Sequence, residues 1–240
     1  MQYNPDIPKL ISPKRRYMSD ISKDAEAKPL PHDPFCADQV EFWLDGKMVG
    51  VRHYSDGKLS GEVAYRDGVR HGREYDWWMW GPRRLSSASR WVNGKEDGTA
   101  YQWYKDGRVM GSYTMVHGTG WDIWFQECCG ETLVHEARYY VDGLMHGREW
   151  WFSFSGNMLT QETFWHHGDK HGVEREWNSK GRVKRGFPQY WIHNVQVDKR
   201  RYMRAVLKDP TLPPFRAEDC EPWREFPPEV AKQLVRDPQK

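Results

Sequence analysis

Tyr140-Val-Asp-Gly-Leu-Met-His-Gly147 is the clearest copy of a short motif that recurs through the middle of the chain. The motif reads aromatic residue, two residues, glycine, three residues, glycine. Further copies, some of them looser, begin at Leu44, Tyr65, Trp91, Met115 and Trp165. A tandem repeat predicts architecture well, because each unit adopts the same local structure and packs on its neighbours. It says less about chemistry, since every unit carries the same residues.

The glycines of the motif set the period of the repeat. The first glycine of each copy recurs about every 25 residues, and a second series with the same period lies between them. Two interleaved series predict two turns per repeat, separated by stretches of roughly ten residues that suit one β-strand each. Each repeat is therefore predicted to be a β-hairpin. The two series are Gly46, Gly68, Gly94, Gly118, Gly143 and Gly168, and Gly57, Gly81, Gly107, Gly130, Gly156 and Gly181.

The residues around these glycines support hairpins. Asp or Asn precedes several of them, and Asp-Gly and Asn-Gly tolerate the positive φ angles that turns between antiparallel strands require. Aromatic residues alternate with polar ones between the turns, as in half-buried strands. The predicted fold is all-β, an elongated single twisted antiparallel sheet of about six tandem hairpins that spans residues 41–195.

The repeat resembles a known family. The pattern aromatic-x-Asp/Asn-Gly-x-x-His-Gly, alternating with Tyr-x-Asp-Gly-Lys-Leu at residues 54–59, is similar to the MORN (membrane occupation and recognition nexus) repeat in its bacterial variant form. The similarity covers about residues 41–195, and the turns at 82–84 and 128–130 depart from it. MORN repeats imply interaction or membrane-association modules. The bacterial variant resembles antitoxin or immunity proteins, which neutralise a toxin by binding it.

The two ends of the chain lack the repeat. Residues 1–40 are rich in proline and are predicted to form an extended arm along the edge or face of the sheet. Residues 196–240 are predicted to form a cap, because terminal repeats need one. In this cap Asp198 begins a helix that reaches Leu207, and Pro227-Pro228-Glu229 begins a second short helix.

Composition argues against several classes of partner. The 36 Lys and Arg residues against 34 Asp and Glu residues give a formal net charge of +2, which favours neither nucleic acid nor an anionic membrane. No apolar stretch approaches membrane-spanning length, and the first residues lack the features of a secretory signal, so a cytoplasmic location is predicted. The four cysteines fit a reducing compartment. The adjacent Cys128 and Cys129 are predicted to be plain thiols rather than a vicinal disulfide or a soft-metal site.

The sequence shows no signature of catalysis or of a cofactor. It lacks Gly-x-Ser-x-Gly, His-Glu-x-x-His and a phosphate-binding loop. His71, His146 and His171 recur at one motif position, but equivalent residues of successive hairpins lie roughly 9 to 10 Å apart, too far to share one zinc ion. The pair at residues 166–167 has no partner motif. The prediction is therefore turn histidines that bond the backbone, with no metal and no enzyme activity.

Tryptophans beside other aromatic residues are the candidate binding residues. Trp78, Trp124 and Trp151 each have an aromatic neighbour, so they are predicted to project from the face opposite to that neighbour. Two interpretations stay open. The N-terminal arm covers these tryptophans, or they form an exposed strip. An exposed strip with Arg73 and Arg148 close by is typical of a recognition surface.

The sequence thus predicts a non-catalytic repeat scaffold that binds another protein. Antitoxin-like or immunity-like neutralisation is the form of binding that the MORN resemblance implies. The alternatives are a carbohydrate or cell-wall binder and a phospholipid-binding module, both of which use exposed aromatic residues. A signal peptide would favour the first and a basic face the second, and the sequence shows neither.

Overall fold

The fold is built almost entirely from β-hairpins. The computed structural model describes residues 18–31, 38–81, 83–155 and 158–234. Antiparallel strands make up most of this part of the chain, and two short helices lie near its C-terminal end. The predicted all-β hairpin fold is confirmed. Within the described residues no helix has both the length and the apolar character needed to cross a bilayer.

The chain divides into two compact units, Met1–Arg108 and Val109–Lys240. The strands of the first unit form an antiparallel sheet in the order β1-β2-β3-β4-β5-β6-β8, and β7 pairs with β6. They are β1 (Glu26–Pro29), β2 (Asp38–Leu44), β3 (Lys47–Ser55), β4 (Lys58–Arg66), β5 (Val69–Trp77), β6 (Leu85–Val92), β7 (Lys95–Glu96) and β8 (Gly98–Trp103).

The second unit contains the remaining strands and both helices. Its sheet has the order β10-β11-β12-β13-β15-β16-β17, and β14 pairs with β13. Its elements are β9 (Val109–Met115), β10 (Gly120–Cys128), β11 (Glu131–Val141), β12 (Leu144–Phe152), β13 (Leu159–His166), β14 (Asp169–Lys170), β15 (Gly172–Glu176), β16 (Gln189–Ile192), β17 (Val195–Val197), α1 (Lys199–Val206) and α2 (Pro228–Leu234).

The strands form two sheets, whereas the sequence predicts a single continuous one. The turn between β9 and β10 is closed by an isolated bridge between Val116 and Thr119. Because this bridge does not continue as a ladder between the two strands, both of which are fully described, β10 begins a new sheet.

The turns have the positive φ angles that the sequence predicts. At Asp142-Gly143 both residues are left-handed, with φ of 56° and 85°, as in a two-residue turn between twisted strands. The amide of Gly143 donates to the carbonyl of Gly118 in the preceding hairpin at 2.8 Å. An equivalent bond of 2.8 Å runs from Gly168 to Met145. Each of these turns is therefore held against the hairpin before it.

The described part of the N-terminal arm lies on the first sheet, as predicted. Strand β1 pairs with β2 along the sheet edge. Ile21 is buried and packs with Phe42 and Ala64, and the amide of Arg73 donates to Asp20 at 2.7 Å. The sequence also predicts that four apolar residues of this arm lie along the sheet, but they are outside the described residues: Ile7, Leu10, Ile11 and Tyr17.

Helix α1 confirms the first part of the predicted cap. The carboxylate of Asp198 accepts a hydrogen bond from the amide of Arg201, and the helix ends just before Leu207. Tyr202 is fully buried, but Met203 and Leu207 are exposed. The sequence predicts an apolar face of Tyr202, Met203, Val206 and Leu207 on this helix, and that face is therefore only partly used for packing.

Helix α2 covers one face of the second sheet. It begins at Pro228, as predicted, and buries Val230 in a core that includes Trp150 and Trp177. The ring of Phe226 meets that of Trp150 edge-on, with 5.0 Å between ring centroids. Val235, which the sequence adds to this helix, lies outside the described residues.

A buried ionic network ties the C-terminal segment to this covered face. Glu162 on β13 is 1% exposed. Its carboxylate accepts hydrogen bonds from Arg148 at 2.7 Å, Arg175 at 2.8 Å, Arg224 at 2.9 and 3.0 Å and the indole of Trp150 at 2.9 Å. Burial raises the pKa of Glu162, but these donors outweigh that effect and hold the pKa at about 2. The carboxylate is therefore ionised at neutral pH.

Two glycines provide a matched test of the stacked turns. Gly118 and Gly130 have φ of 76° and 82°, so alanine should cost about 1 kcal/mol at either position. A Cβ atom on Gly118 would lie 2.6 Å from the amide nitrogen of Gly143, whereas nothing lies within 4 Å of a Cβ atom on Gly130. We expect Gly118→Ala to cost about 1 to 3 kcal/mol more than Gly130→Ala in denaturant titrations. Equal losses would contradict the stacking.

Candidate functional site

Contacts that join separate elements of the fold involve Trp78, Arg73 and Arg148. The indole of Trp78, in the first unit, donates to a backbone carbonyl of β8 at 3.0 Å. Arg73 is exposed, and its guanidinium lies 3.7 Å from the carboxylate of Asp20. Arg148 belongs to the network around Glu162. Of the five predicted recognition residues, the structure brings Trp124 and Trp151 together in one row, whereas Arg148 projects from the face of β12 opposite to that of Trp151.

Trp124 and Trp151 lie in one row of the second sheet. Trp124 on β10 is paired with Glu136 on β11, and Glu136 is paired with Trp151 on β12. Residues paired across antiparallel strands project from the same face of the sheet. The carboxyl group of Glu136 therefore lies between two indoles. Both tryptophans are half-buried, and Glu136 is 5% exposed.

The next row of the same face carries more charge. Asp122, Arg138 and Glu149 are paired across β10, β11 and β12. Arg138 donates to Asp122 at 2.7 Å, and Glu149 accepts from the indoles of Trp151 at 3.0 Å and Trp165 at 2.8 Å. We name this surface the aromatic-acidic face, and it consists of Asp122, Trp124, Glu136, Arg138, Glu149, Trp151 and Trp165.

The aromatic-acidic face holds more acids than bases. Asp122, Glu136 and Glu149 are buried, and the cation that pairs with them among the described residues is Arg138. Burial raises the pKa of Glu136 to about 7. Arg138 partly offsets this effect, and the charges of Glu149 and Asp122 add to it. Burial also raises the pKa of Asp122. The acidic side chains of this face therefore outnumber its basic ones, and a further cation would balance part of the excess negative charge.

An apolar groove of about 750 Å³ lies elsewhere in the second unit, beside the C-terminal segment. Phe152 and Leu159 of the sheet line one side, and Phe226 and Leu234 line the other. Trp223, also part of the lining, is 66% exposed. A concave apolar site of this size suits a small apolar ligand.

Three histidines meet where one hairpin lies beside the next. His146 on β12, His166 at the end of β13 and His167 in the following turn each place a ring nitrogen within 4.8 Å of the other two. A comparison of equivalent positions in successive hairpins does not predict this group. The group joins non-equivalent positions. Adjacent histidines in a turn, one hairpin after His146, are the signal that could have revealed it.

A second group combines His171, His193 and Asp209, also within 4.8 Å. The Nδ1 atom of His171 accepts from the amide of His193 at 3.2 Å, and its Nε2 atom lies 2.9 Å from a threonine hydroxyl. His71 uses Nδ1 in the same way, accepting from a turn amide at 3.2 Å. The prediction of turn histidines that bond the backbone is confirmed for His71 and His171.

The described cysteines are free thiols. The sulfur atoms of Cys128 and Cys129 lie 3.7 Å apart in the turn after β10, which is too far for a disulfide bond. Cys220 lies in the C-terminal segment, and Cys36 lies outside the described residues.

Comparisons with known proteins do not identify the chain. No model of a protein family matches it, and no curated protein matches it. The resemblance to MORN repeats therefore stays a prediction that rests on the repeat pattern.

The raised pKa of Glu136 predicts a pH dependence of stability. A carboxyl group with a pKa of about 7 in the folded protein and 4.5 when unperturbed favours folding in its protonated form. The free energy of unfolding should therefore fall as the pH rises from about 4.5 to about 7. Glu136→Gln removes this loss, so the variant should be about 1 to 3 kcal/mol more stable than wild type at pH 8.

Denaturant titrations at pH 5 and pH 8 measure the effect. Glu127→Gln is the matched control, because Glu127 is an exposed glutamate on the same sheet. A Glu136→Gln variant that keeps the wild-type pH dependence would show that Glu136 is not the group responsible.

Proposed function

We propose that this protein is a non-catalytic binding protein that holds a basic segment of another protein on its aromatic-acidic face. The observation that carries the proposal is the carboxyl group of Glu136, buried between Trp124 and Trp151 with a pKa near 7. A carboxyl group with that pKa is stabilised in its ionised form by any cation that binds next to it. The cation is therefore the part of a partner that this face selects.

A lysine or arginine side chain suits this face in two ways. Its aliphatic stem packs on indole rings, and its charged head interacts favourably with the ring faces and with carboxylates. The same sheet contains an internal example. The ammonium of Lys170 lies 5.0 Å over the ring of Trp191 and 2.8 Å from the carboxylate of Glu174. A cation from a partner would be held by the same combination of groups.

Other classes of ligand fit this face less well. The carboxylates of Asp122, Glu136 and Glu149 repel phosphate groups, which disfavours nucleic acids and anionic phospholipids. A neutral carbohydrate could stack on the tryptophans but would add no positive charge to balance the excess of acids on this face. A basic protein segment satisfies both the rings and the acids.

The antitoxin-like or immunity-like role is the biological form of binding that the bacterial MORN resemblance suggests. In that role the partner is a protein with an exposed basic segment, and binding would mask it. The cytoplasm is the compartment in which we place this encounter, since the cysteine content fits a reducing environment.

Titration calorimetry with a short peptide of lysines separated by serines tests the proposal. We expect binding at pH 8 and weaker binding at pH 6, because protonation of Glu136 removes its attraction for the cation. Trp151→Leu and Glu136→Gln should each weaken binding at pH 8 by about tenfold or more, equivalent to about 1.4 kcal/mol. The control is Trp223→Leu, which removes an exposed tryptophan of the groove and should leave peptide binding unchanged.

Two outcomes would overturn this proposal. One is basic-peptide binding of wild-type strength in both Glu136→Gln and Trp151→Leu. The other is tighter binding of a neutral oligosaccharide than of the basic peptide, which would support the carbohydrate alternative. A peptide with glutamate in place of every lysine is the charge control, and it should not bind.

A further inference from the structure

The histidine group of His146, His166 and His167 has no part in the proposed function. Its ring centroids are 5.0 Å apart for His146 and His166, 4.8 Å for His146 and His167, and 4.6 Å for His166 and His167. The rings are tilted or edge-on to one another rather than stacked. Three imidazoles from two adjacent strands and a turn therefore surround one small volume.

His146 differs from the other histidines at its motif position. The Nδ1 atoms of His71 and His171 each accept a hydrogen bond from a turn amide. The Nδ1 atom of His146 is buried and has no hydrogen-bond partner among the described residues. A buried polar atom without a partner destabilises the fold, so this nitrogen is a site at which a ligand would be stabilising.

We propose that His146, His166 and His167 bind one zinc ion. Zinc is held by imidazole nitrogens at about 2.0 to 2.1 Å, and three protein ligands with water in the fourth position form a common zinc site. Imidazole ligands favour zinc, copper or nickel over magnesium or calcium, which prefer oxygen. The donor set therefore selects a transition metal.

The ring nitrogens need only a small movement to reach one ion. They lie within 4.8 Å of one another, whereas two nitrogens of a tetrahedral zinc site are about 3.3 Å apart at those bond lengths. His167 is exposed in its turn, so rotation of its side chain shortens its distances to the other two histidines without moving the strands. The exposed side of the group also gives the ion a path from solvent.

The neighbouring group of His171, His193 and Asp209 is a poorer site. A metal there would compete with the two contacts that already engage the ring nitrogens of His171, and His193 lies 3.2 Å from the carboxylate of Asp169. We assign this second group to the packing of the turn against the segment after α1. It supplies an internal control for the first group.

Titration of the full-length protein with zinc chloride in a non-chelating buffer tests the site. We expect one zinc ion per chain and binding at least about tenfold weaker in His167→Asn. Asparagine suits this backbone, since Asn93 occupies the equivalent turn position with φ of 52° and His167 has φ of 47°. His117→Asn is the matched control, at the equivalent turn position with φ of 48°, and it should bind zinc like the wild type.

His166→Val is a second variant, chosen because Val141 occupies the equivalent position before another turn. Its zinc binding should also be at least about tenfold weaker than that of wild type. Visible absorption of the cobalt-loaded protein reports the ligand geometry, and both variants should lose the bands of the four-coordinate ion. The proposal fails if wild type does not bind zinc, if both variants bind it like wild type, or if His193→Asn abolishes zinc binding while His167→Asn preserves it.

Discussion

The second unit depends most on the hydrogen bonds and ion pairs that the carboxylate of Glu162 makes. A lone buried carboxylate costs several kcal/mol, and removing one partner from a buried ionic group typically costs about 3 to 5 kcal/mol. Here Arg148, Arg175 and Arg224 come from β12, β15 and the C-terminal segment, so one anion holds three separate elements. Arg224 also donates to three backbone carbonyls of residues 219–223. The same side chain therefore shapes the segment that covers the sheet.

Because of this arrangement, the two faces of the second sheet have different roles. The row that contains Trp150, Glu162 and Arg175 faces the C-terminal segment. Because side chains alternate along a strand, Trp151 and Glu136 project from the opposite face. On that face indoles and acids lie together without an equal number of bases, and the histidine group lies at the turns. The covered face supplies stability, and the aromatic-acidic face carries the proposed binding function.

Local features of this fold could be predicted from the sequence, and long-range ones could not. The turn at Asp142-Gly143 and the cap of α1 at Asp198 depend on a few neighbouring residues. The pairing of Glu162 with Arg224 joins positions 62 residues apart, and no local sequence pattern predicts it. The row of Trp124, Glu136 and Trp151 depends on which residues pair across three strands. Counting alternation along one strand therefore found the tryptophans but not the carboxyl group between them.

If the covered face supplies stability and the aromatic-acidic face binds the partner, a basic partner segment must contact the aromatic-acidic face and not the covered face. Indole N–H resonances of the protein labelled with ¹⁵N-tryptophan measure this directly during titration with the lysine-serine peptide. The indoles of the aromatic-acidic face should shift, while those of Trp150 and Trp177 on the covered face should stay in place. Shifts confined to Trp223 at the apolar groove would show that the peptide binds elsewhere and that the proposed face is wrong.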